Sequence, residues 1–186
     1  VGSMTTKMKV ARIDVCRKKI VDVLFEGREK VAYRVDLARP KSDGSFSEAI
    51  QNTGIDAIRK LVASANKKLT ELKEKQPDSY TGAATEAFRR ATNRDEVVNK
   101  IFEKTGVRIV VLNDQKQEGL LEINGVASKN EYDLKDLVVI GIGGGSVQIE
   151  TLNPDQKFEF YLGSIASEEF ATKINTVVRG ITDKPT

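Results

Sequence analysis

Residues 137–152 read LVVIGIGGGSVQIETL, and this stretch decides how the chain is expected to fold. An apolar, β-branched run precedes Gly143, Gly144 and Gly145, and a second alternating run follows Ser146. The pattern predicts a strand, a glycine-rich turn and a second strand. Glycines let a backbone approach an anion closely, and their amides together with a serine hydroxyl suit phosphate oxygens. A hairpin turn without a ligand is the alternative, and the residues alone leave both open.

The sequence on either side extends this hairpin into a second structural unit. Residues 153–155 (Asn-Pro-Asp) predict a turn, and residues 157–165 predict a third strand. From about residue 166 an apolar stripe at helical spacing predicts a helix. The polar residues 126–136 before the hairpin predict a linker.

The residues before the linker predict a separate α/β unit. Apolar runs at 8–16, 19–26 and 30–37 predict three strands, and their short connections predict an antiparallel meander. The elements predicted next are a helix at 46–75 with a capping box at Ser45 and Glu48, a strand at 79–85, a helix from Asn93 to Gly106, a strand at 107–112 and a short helix capped by Asp114 and ending near Gly125. The order β-β-β-α-β-α-β-α favours a mixed sheet covered by helices.

Composition limits the chemistry that this chain can perform. Its 186 residues contain 30 Lys and Arg against 27 Asp and Glu, no His, and one Cys at position 16. These counts exclude His-based catalysis, internal disulfides and zinc bound by His or several thiolates. An enzyme of this composition works with carboxylates, hydroxyls, backbone amides and an oxygen-bound metal such as Mg²⁺.

The single thiol and the lack of a signal segment predict a reducing, cytoplasmic setting. The net charge of +3 is too small to predict nucleic-acid binding. No apolar run reaches the roughly 18 residues of a membrane span, and no apolar leader begins the chain. Val1-Gly2-Ser3 before Met4 is interpreted as an expression remnant.

Four stretches resemble the exopolyphosphatase and guanosine pentaphosphate phosphohydrolase (Ppx/GppA) family of the actin-like ATPase superfamily. They are RID at 12–14, ATEAFRRATN at 84–93 followed by TGVRIVVLN, VVIGIGGGSVQIE at 138–150 and YLGSIASEEF at 161–170. The resemblance spans residues 9–178 and implies two ribonuclease-H-like halves facing a cleft. Members of that family hydrolyse a terminal phosphoanhydride of polyphosphate or guanosine pentaphosphate, usually with Mg²⁺.

The resemblance implies phosphate and metal contacts that this sequence keeps only in part. The phosphate-contacting Arg of the family corresponds to Arg89, for which a surface ion pair with Asp95 or Glu96 is the alternative. Asp14, at the end of the first predicted strand, is the residue that could hold a metal. The loop after it, Gly-Ser-Asn-Ser in the family, is 16–19 (Cys-Arg-Lys-Lys), which a solvated hairpin tip also explains.

The acidic positions depart further from the family. Its metal-holding Asp corresponds to Gly141, which has no carboxylate. Its catalytic Glu falls on Gln115 or Lys116 in a direct alignment, and on Glu118 only with a one-residue insertion. Gln can orient a water but cannot accept its proton.

The sequence therefore predicts an α/β protein with one complete ribonuclease-H-like domain and part of a second. The expected boundaries are a remnant and tail at 1–8, a first domain at 9–126, a linker at 127–136 and the partial domain at 137–186. An open strand edge predicts a homo-oligomer or a protein partner covering residues 137–165.

The expected function is that of a degenerate, non-catalytic relative that binds phosphate, polyphosphate or a guanosine polyphosphate. Its contacts would be Gly143, Gly144, Gly145, Ser146 and Arg89. One alternative is an active Mg²⁺-dependent phosphoanhydride hydrolase with Glu118 as base and Asp14 on the metal. Another is a structural protein with no ligand.

Overall fold

The computed structural model describes residues 1–40, 42–129, 132–144 and 146–163. Its strands are β1 (Thr5–Asp14), β2 (Lys19–Lys30), β3 (Thr81–Ala84), β4 (Arg108–Val111), β5 (Val138–Ile142), β6 (Val147–Leu152) and β7 (Phe158–Gly163). Its helices are α1 (Tyr33–Leu37), α2 (Glu48–Glu71), α3 (Glu86–Arg90), α4 (Arg94–Thr105) and α5 (Gln115–Lys129), with a 3₁₀ turn at Leu134–Asp136. These elements form the mixed α/β fold that the sequence predicts.

Two long strands and a short helix stand where three strands were predicted. β1 and β2 pair antiparallel from Thr5 opposite Lys30 to Asp14 opposite Lys19. The predicted third strand at 30–37 is wrong, because Tyr33–Leu37 is α1. Tyr33 and Leu37 lie four residues apart. This spacing places both side chains on one face of a helix, and it would also place both on one face of a strand. Tyr33 is fully buried among Phe46 and Phe88, with ring centroids 5.2 and 4.9 Å away.

The predicted long helix is confirmed as α2, which carries the core. Its N-cap is Ser47, two residues later than predicted, and the Ser47 side chain accepts a hydrogen bond from the Ile50 amide at 3.3 Å. A stripe of small and aliphatic side chains on one face is buried: Ile55, Ala57, Ile58, Leu61, Ala65 and Leu69. Gly54 leaves room for Tyr33, since a Cβ on Gly54 would lie 1.9 Å from the Tyr33 Oη.

The alternating part of the chain follows the prediction closely. β3 and β4 are parallel neighbours, as a helical crossover between them requires. Gly106 ends α4 with a left-handed φ of 70°, and the Asp114 carboxylate accepts a hydrogen bond from the Gln117 amide at the start of α5. Asn93 precedes α4, but its side chain bonds the backbone of Phe46 instead of capping the helix.

The predicted strands at 137–152 and 157–165 form an antiparallel sheet in the order β5-β6-β7. Gln148 and Glu150 of β6 are buried on the face that α5 covers. The other face exposes large apolar side chains: Val138, Ile140, Ile142 and Tyr161. The helix predicted from residue 166 lies outside the described residues. Within the described ranges, no helix is long and apolar enough to span a bilayer.

Candidate functional site

The first residues of the chain form a tight turn inside the fold. The Val1 carbonyl accepts a hydrogen bond from the Thr85 amide at 3.2 Å, directly after β3. The Gly2 amide donates to the Thr5 carbonyl at 2.9 Å and closes a turn over residues 2–5. Residues 1–8 were expected to lie outside the fold, and that expectation is wrong. The hydrogen bond between Val1 and Thr85, directly after β3, holds the start of the chain in the fold.

The predicted phosphate hairpin forms a second turn, and some of its polar groups have hydrogen-bond partners within the protein. The Gly143 amide donates to the Ser146 carbonyl at 2.8 Å, which closes the β5–β6 turn. The Ser146 hydroxyl is buried and accepts a hydrogen bond from the Gln148 side chain at 2.9 Å. The Gly144 carbonyl accepts a hydrogen bond from the Arg34 guanidinium at 3.0 Å. Gly145 lies outside the described residues.

The two turns are in contact, and Arg34 donates hydrogen bonds to both of them. A Cβ on Gly144 would lie 3.0 Å from the Met4 Cγ. The Arg34 backbone amide donates to the Ser3 carbonyl at 3.0 Å, while its guanidinium reaches the Gly144 carbonyl. The Ser3 hydroxyl donates to Glu86 at 2.9 Å, and Glu86 lies 3.9 Å from the same guanidinium. The residues of both turns therefore meet at one polar junction.

Arg89 and Glu118, two of the site residues predicted from the sequence, contact each other. Both terminal nitrogens of Arg89 donate to one Glu118 oxygen at 3.2 Å, and both side chains are largely buried. This pair replaces the surface pair with Asp95 or Glu96 that the sequence left open. Burial raises the pKa of the Glu118 carboxyl, and the Arg89 charge offsets part of that rise.

Two further glutamates lie behind the β5–β6 turn. A Cβ on Gly141 would lie 1.8 Å from Glu122 Oε2, so the Glu122 carboxylate fills the space that a side chain at 141 would enter. Glu150 is fully buried, and neither of its oxygens has a hydrogen-bond partner among the described residues. Burial, and then the neighbouring Glu122, raise the pKa of Glu150 to about 7.

A magnesium ion does not fit these residues as they stand. Mg²⁺ requires several oxygen ligands around one point at about 2.1 Å. Buried oxygens of Glu122 and Glu150 lack partners, but in the described part of the chain no three acidic, His or Cys side chains are arranged to hold a metal.

Asp14, predicted as a metal ligand, is not part of this junction. It ends β1, whose ten residues separate it from the turn at Gly2 by about 30 Å. There its carboxylate accepts a hydrogen bond from the Arg17 amide at 3.0 Å. The structure does not bring Asp14 together with Arg89 and Glu118.

A cationic cleft borders the N-terminal turn. It encloses about 640 Å³ and is lined by Met4, Thr5, Lys7, Arg28 and Lys30. Lys7 and Arg28 are directly opposite each other in the β1–β2 ladder, and Lys30 follows on the same face. None of these three cations makes an ion pair within the described ranges.

Sequence reasoning missed Ser3, Arg34, Glu86 and this cationic cleft. Ser3 was set aside with the presumed remnant, and Arg34 lay in a segment predicted as a strand. One available signal was the Gly2-Ser3 pair itself, because Gly-Ser is what the resemblance requires of a first phosphate loop. The cationic cleft could not be predicted from residue spacing, because the strand register decides which cations share a face of the β1–β2 ladder.

The fold and the paired glycine turns define an α/β protein of the actin-like ATPase fold. The model of the Ppx/GppA phosphatase family matches residues 15–160, most of the chain, and the chain belongs to that family. The bifunctional 3-dehydroquinate synthase/phosphatase of Fusobacterium nucleatum is 33% identical over 90 residues, which are 46% of this chain and 13% of that protein.

Solved structures give the same fold. A Ppx/GppA family member from Aquifex aeolicus has a TM-score of 0.67 and 21% identity, covering 95% of this chain and 52% of that one. An exopolyphosphatase-like protein has a TM-score of 0.73 and 22% identity, covering 94% and 52%. An exopolyphosphatase from Cytophaga hutchinsonii has a TM-score of 0.67 and 17% identity, covering 92% and 51%. The chain thus spans about half the length of these structures, and the predicted family and fold are confirmed.

Proposed function

We propose that this chain binds a phosphate chain at the junction of its two glycine turns and does not hydrolyse it. The observation that supports this most is the cationic cleft beside Met4. Like charges directly opposite in a β-ladder destabilise it. Lys7 opposite Arg28, with Lys30 on the same face, is therefore an unfavourable arrangement, which the nearby Glu122 carboxylate offsets in part and a bound polyanion would offset further.

The neighbouring groups suit phosphate oxygens. Arg34 and Arg89 are planar donors suited to bidentate contacts with phosphate. Arg89 is held by Glu118, so a phosphate oxygen would compete with that carboxylate for the same two nitrogens. Gly141 supplies no acid where the family resemblance implies a metal-holding Asp, and this replacement is why binding without hydrolysis is the first candidate.

Calorimetric titration with tripolyphosphate tests this proposal. Lys7→Ala and Arg28→Ala should each weaken binding about ten-fold, since a hydrogen bond to a charged group contributes about 1.5–3 kcal/mol. Lys9→Ala is the matched control, because Lys9 lies on the same face of β1 but is paired with Glu26 at 3.3 Å. No measurable binding, or an equal loss in the Lys9 variant, would refute the proposal.

The second candidate is a phosphoanhydride hydrolase, and the Arg89–Glu118 contact is the observation that favours it. A phosphate that takes over Arg89 would release Glu118 beside the scissile bond, where a carboxylate can accept a proton from the attacking water. Phosphate release from polyphosphate or a guanosine polyphosphate in Mg²⁺ buffer tests this. Turnover that Glu118→Gln abolishes while tripolyphosphate affinity holds would establish hydrolysis and overturn the non-catalytic assignment.

We also propose that another protein surface covers part of residues 137–165. The support is the exposed face of β5–β7, where Ile140 and Ile142 keep 60 and 67% of their surface in contact with solvent. Contiguous apolar faces of this kind mark interaction surfaces. Light scattering of the wild type against Ile140→Lys tests it, with a homo-oligomer expected to dissociate. The proposal would be refuted if the wild-type protein is monomeric and no protein partner binds to it.

A further inference from the structure

One buried carboxylate lies between the turn at residues 2–5 and the β5–β6 turn. Glu86, the first residue of α3, keeps 7% of its side chain exposed. Its Oε2 accepts a hydrogen bond from the Ser3 hydroxyl of the first turn at 2.9 Å. The same oxygen lies 3.9 Å from Arg34 Nη1, and that nitrogen donates to the Gly144 carbonyl of the second turn at 3.0 Å. Glu86 is therefore linked to the first turn directly and to the second turn through Arg34.

The other oxygen of this carboxylate also has a partner. Arg90, four residues later at the end of α3, places its Nε 2.6 Å from Glu86 Oε1. The amide of Thr85, directly before Glu86, donates to the Val1 carbonyl at 3.2 Å and ties the start of α3 to the residue before the first turn. These contacts fix the direction of the carboxylate, and a fixed group can define the position of the groups that it holds.

Charge alone does not explain why Glu86 lies at this junction. Its carboxylate is close to the place where the proposed phosphate chain binds, and like charges repel each other. A buried ion pair is also a weak source of stability, because removing two charges from water can cost as much as their attraction gains. The contacts of Glu86 with Ser3 and Arg34 instead indicate that it places these two residues.

We propose that Glu86 is a positioning residue that holds the two glycine turns at one separation, and that this separation selects a phosphate chain over a single phosphate. The inference rests on the proposed function, with each turn in contact with a different phosphate group of one chain. Two contacts on one chain bind much more tightly than either alone, provided that their separation matches the span of the chain. Orthophosphate uses one turn at a time, so its affinity does not depend on that separation.

Calorimetric titration with tripolyphosphate and with orthophosphate tests the role of Glu86. Glu86→Gln keeps the size of the side chain and an acceptor oxygen for Ser3, but it removes the charge that faces Arg34. It should weaken tripolyphosphate binding about ten-fold and leave orthophosphate affinity within about two-fold. Removing a negative charge would by itself strengthen the binding of both anions, so a selective loss identifies positioning.

Asp36→Asn is the matched control. Asp36 lies two residues after Arg34 on α1, its side chain is 10% exposed, and it is paired with Arg39 at 3.2 Å. Its carboxylate accepts hydrogen bonds from the backbone amide and hydroxyl of Ser47 at the start of α2, and these contacts lie outside both turns. The variant should lose stability, because these bonds weaken, and should change neither affinity by more than about two-fold.

Amide hydrogen exchange measured by NMR without phosphate gives a second readout. The Arg34 amide donates to Ser3 in the first turn and the Gly143 amide donates to Ser146 in the second. Both amides should exchange faster in Glu86→Gln than in the wild type and in Asp36→Asn.

Three results would each overturn the inference while leaving the proposed function in place. They are unchanged exchange in Glu86→Gln, a tripolyphosphate affinity that is unchanged or stronger, and an equal loss of affinity for both anions. A wild type that binds no tripolyphosphate refutes the proposed function and this inference together.

Discussion

Replacing Glu150 by Gln should make the protein more stable at pH 8 and leave its stability almost unchanged near pH 4.5. Glu150 lies on the middle strand β6, is fully buried, and has no hydrogen-bond partner for either oxygen among the described residues. Burial and then Glu122 raise its pKa from 4.5 to about 7 on folding. A difference of that size corresponds to about 3 kcal/mol.

The sign follows from proton linkage. Below pH 4.5 the carboxyl is protonated in both the folded and the unfolded chain, so its full contribution to stability is present. Between pH 4.5 and about 7 only the unfolded chain ionises, and stability falls by about 1.4 kcal/mol per pH unit. Above pH 7 the loss is complete. Gln cannot ionise, so Glu150→Gln escapes this loss and its advantage grows to about 3 kcal/mol.

Urea unfolding of the wild type and Glu150→Gln at several pH values between 4.5 and 8 measures the effect. Only the difference between the two proteins is compared, because other carboxylates titrate in both. Glu103→Gln, an exposed position on α4, is the control and should differ from the wild type by less than about 0.5 kcal/mol throughout. A difference for Glu150→Gln that does not change with pH would refute the assignment of a buried, unpaired carboxyl.

Three other substitutions test the packing. Gly54→Ala should destabilise by about 1–3 kcal/mol in urea unfolding, because its Cβ would lie 1.9 Å from the Tyr33 Oη. Gly125→Ala in α5, where a Cβ meets nothing within 4 Å, should stabilise by about 0.5–1 kcal/mol, and a loss there would contradict the reasoning. Gly141→Asp should destabilise by about 1–2 kcal/mol, because the Glu122 side chain must move and two carboxylates then lie close together, and Glu122→Ala should restore much of that loss in a double-mutant cycle; additive effects would contradict it.

Local patterns were sufficient for most elements of the fold. The stripe of α2, the left-handed Gly106 and the cap at Asp114 act within a few residues, and each was predicted from its neighbours. The segment at 30–37 was not, since its alternation fits both a strand and one helical turn. The choice depends on the ring contacts of Tyr33 with Phe46 and Phe88, which join distant parts of the chain.

The sequence predicted those residues of the candidate site for which the family resemblance and the side-chain chemistry agree. Arg89 and Glu118 were selected from the sequence, and the structure joins them across 29 residues. Ser3 and Arg34 were missed, because their role depends on a turn at the start of the chain lying against Gly144. Three-dimensional proximity of this kind has no signature in residue spacing.

The absence of an acid at position 141 is best understood as packing. α5 and the β5–β7 sheet interlock through two reciprocal contacts: Glu122 of the helix lies against Gly141 of β5, and Glu150 of β6 lies against Gly119 of the helix. A Cβ on either glycine would lie within 2.4 Å of the facing carboxylate. Each glycine therefore leaves room for the glutamate opposite it, and each glutamate is desolvated by the same contact. An Asp at 141 would therefore enter the space that the Glu122 carboxylate occupies, and its charge would lie beside that of Glu122.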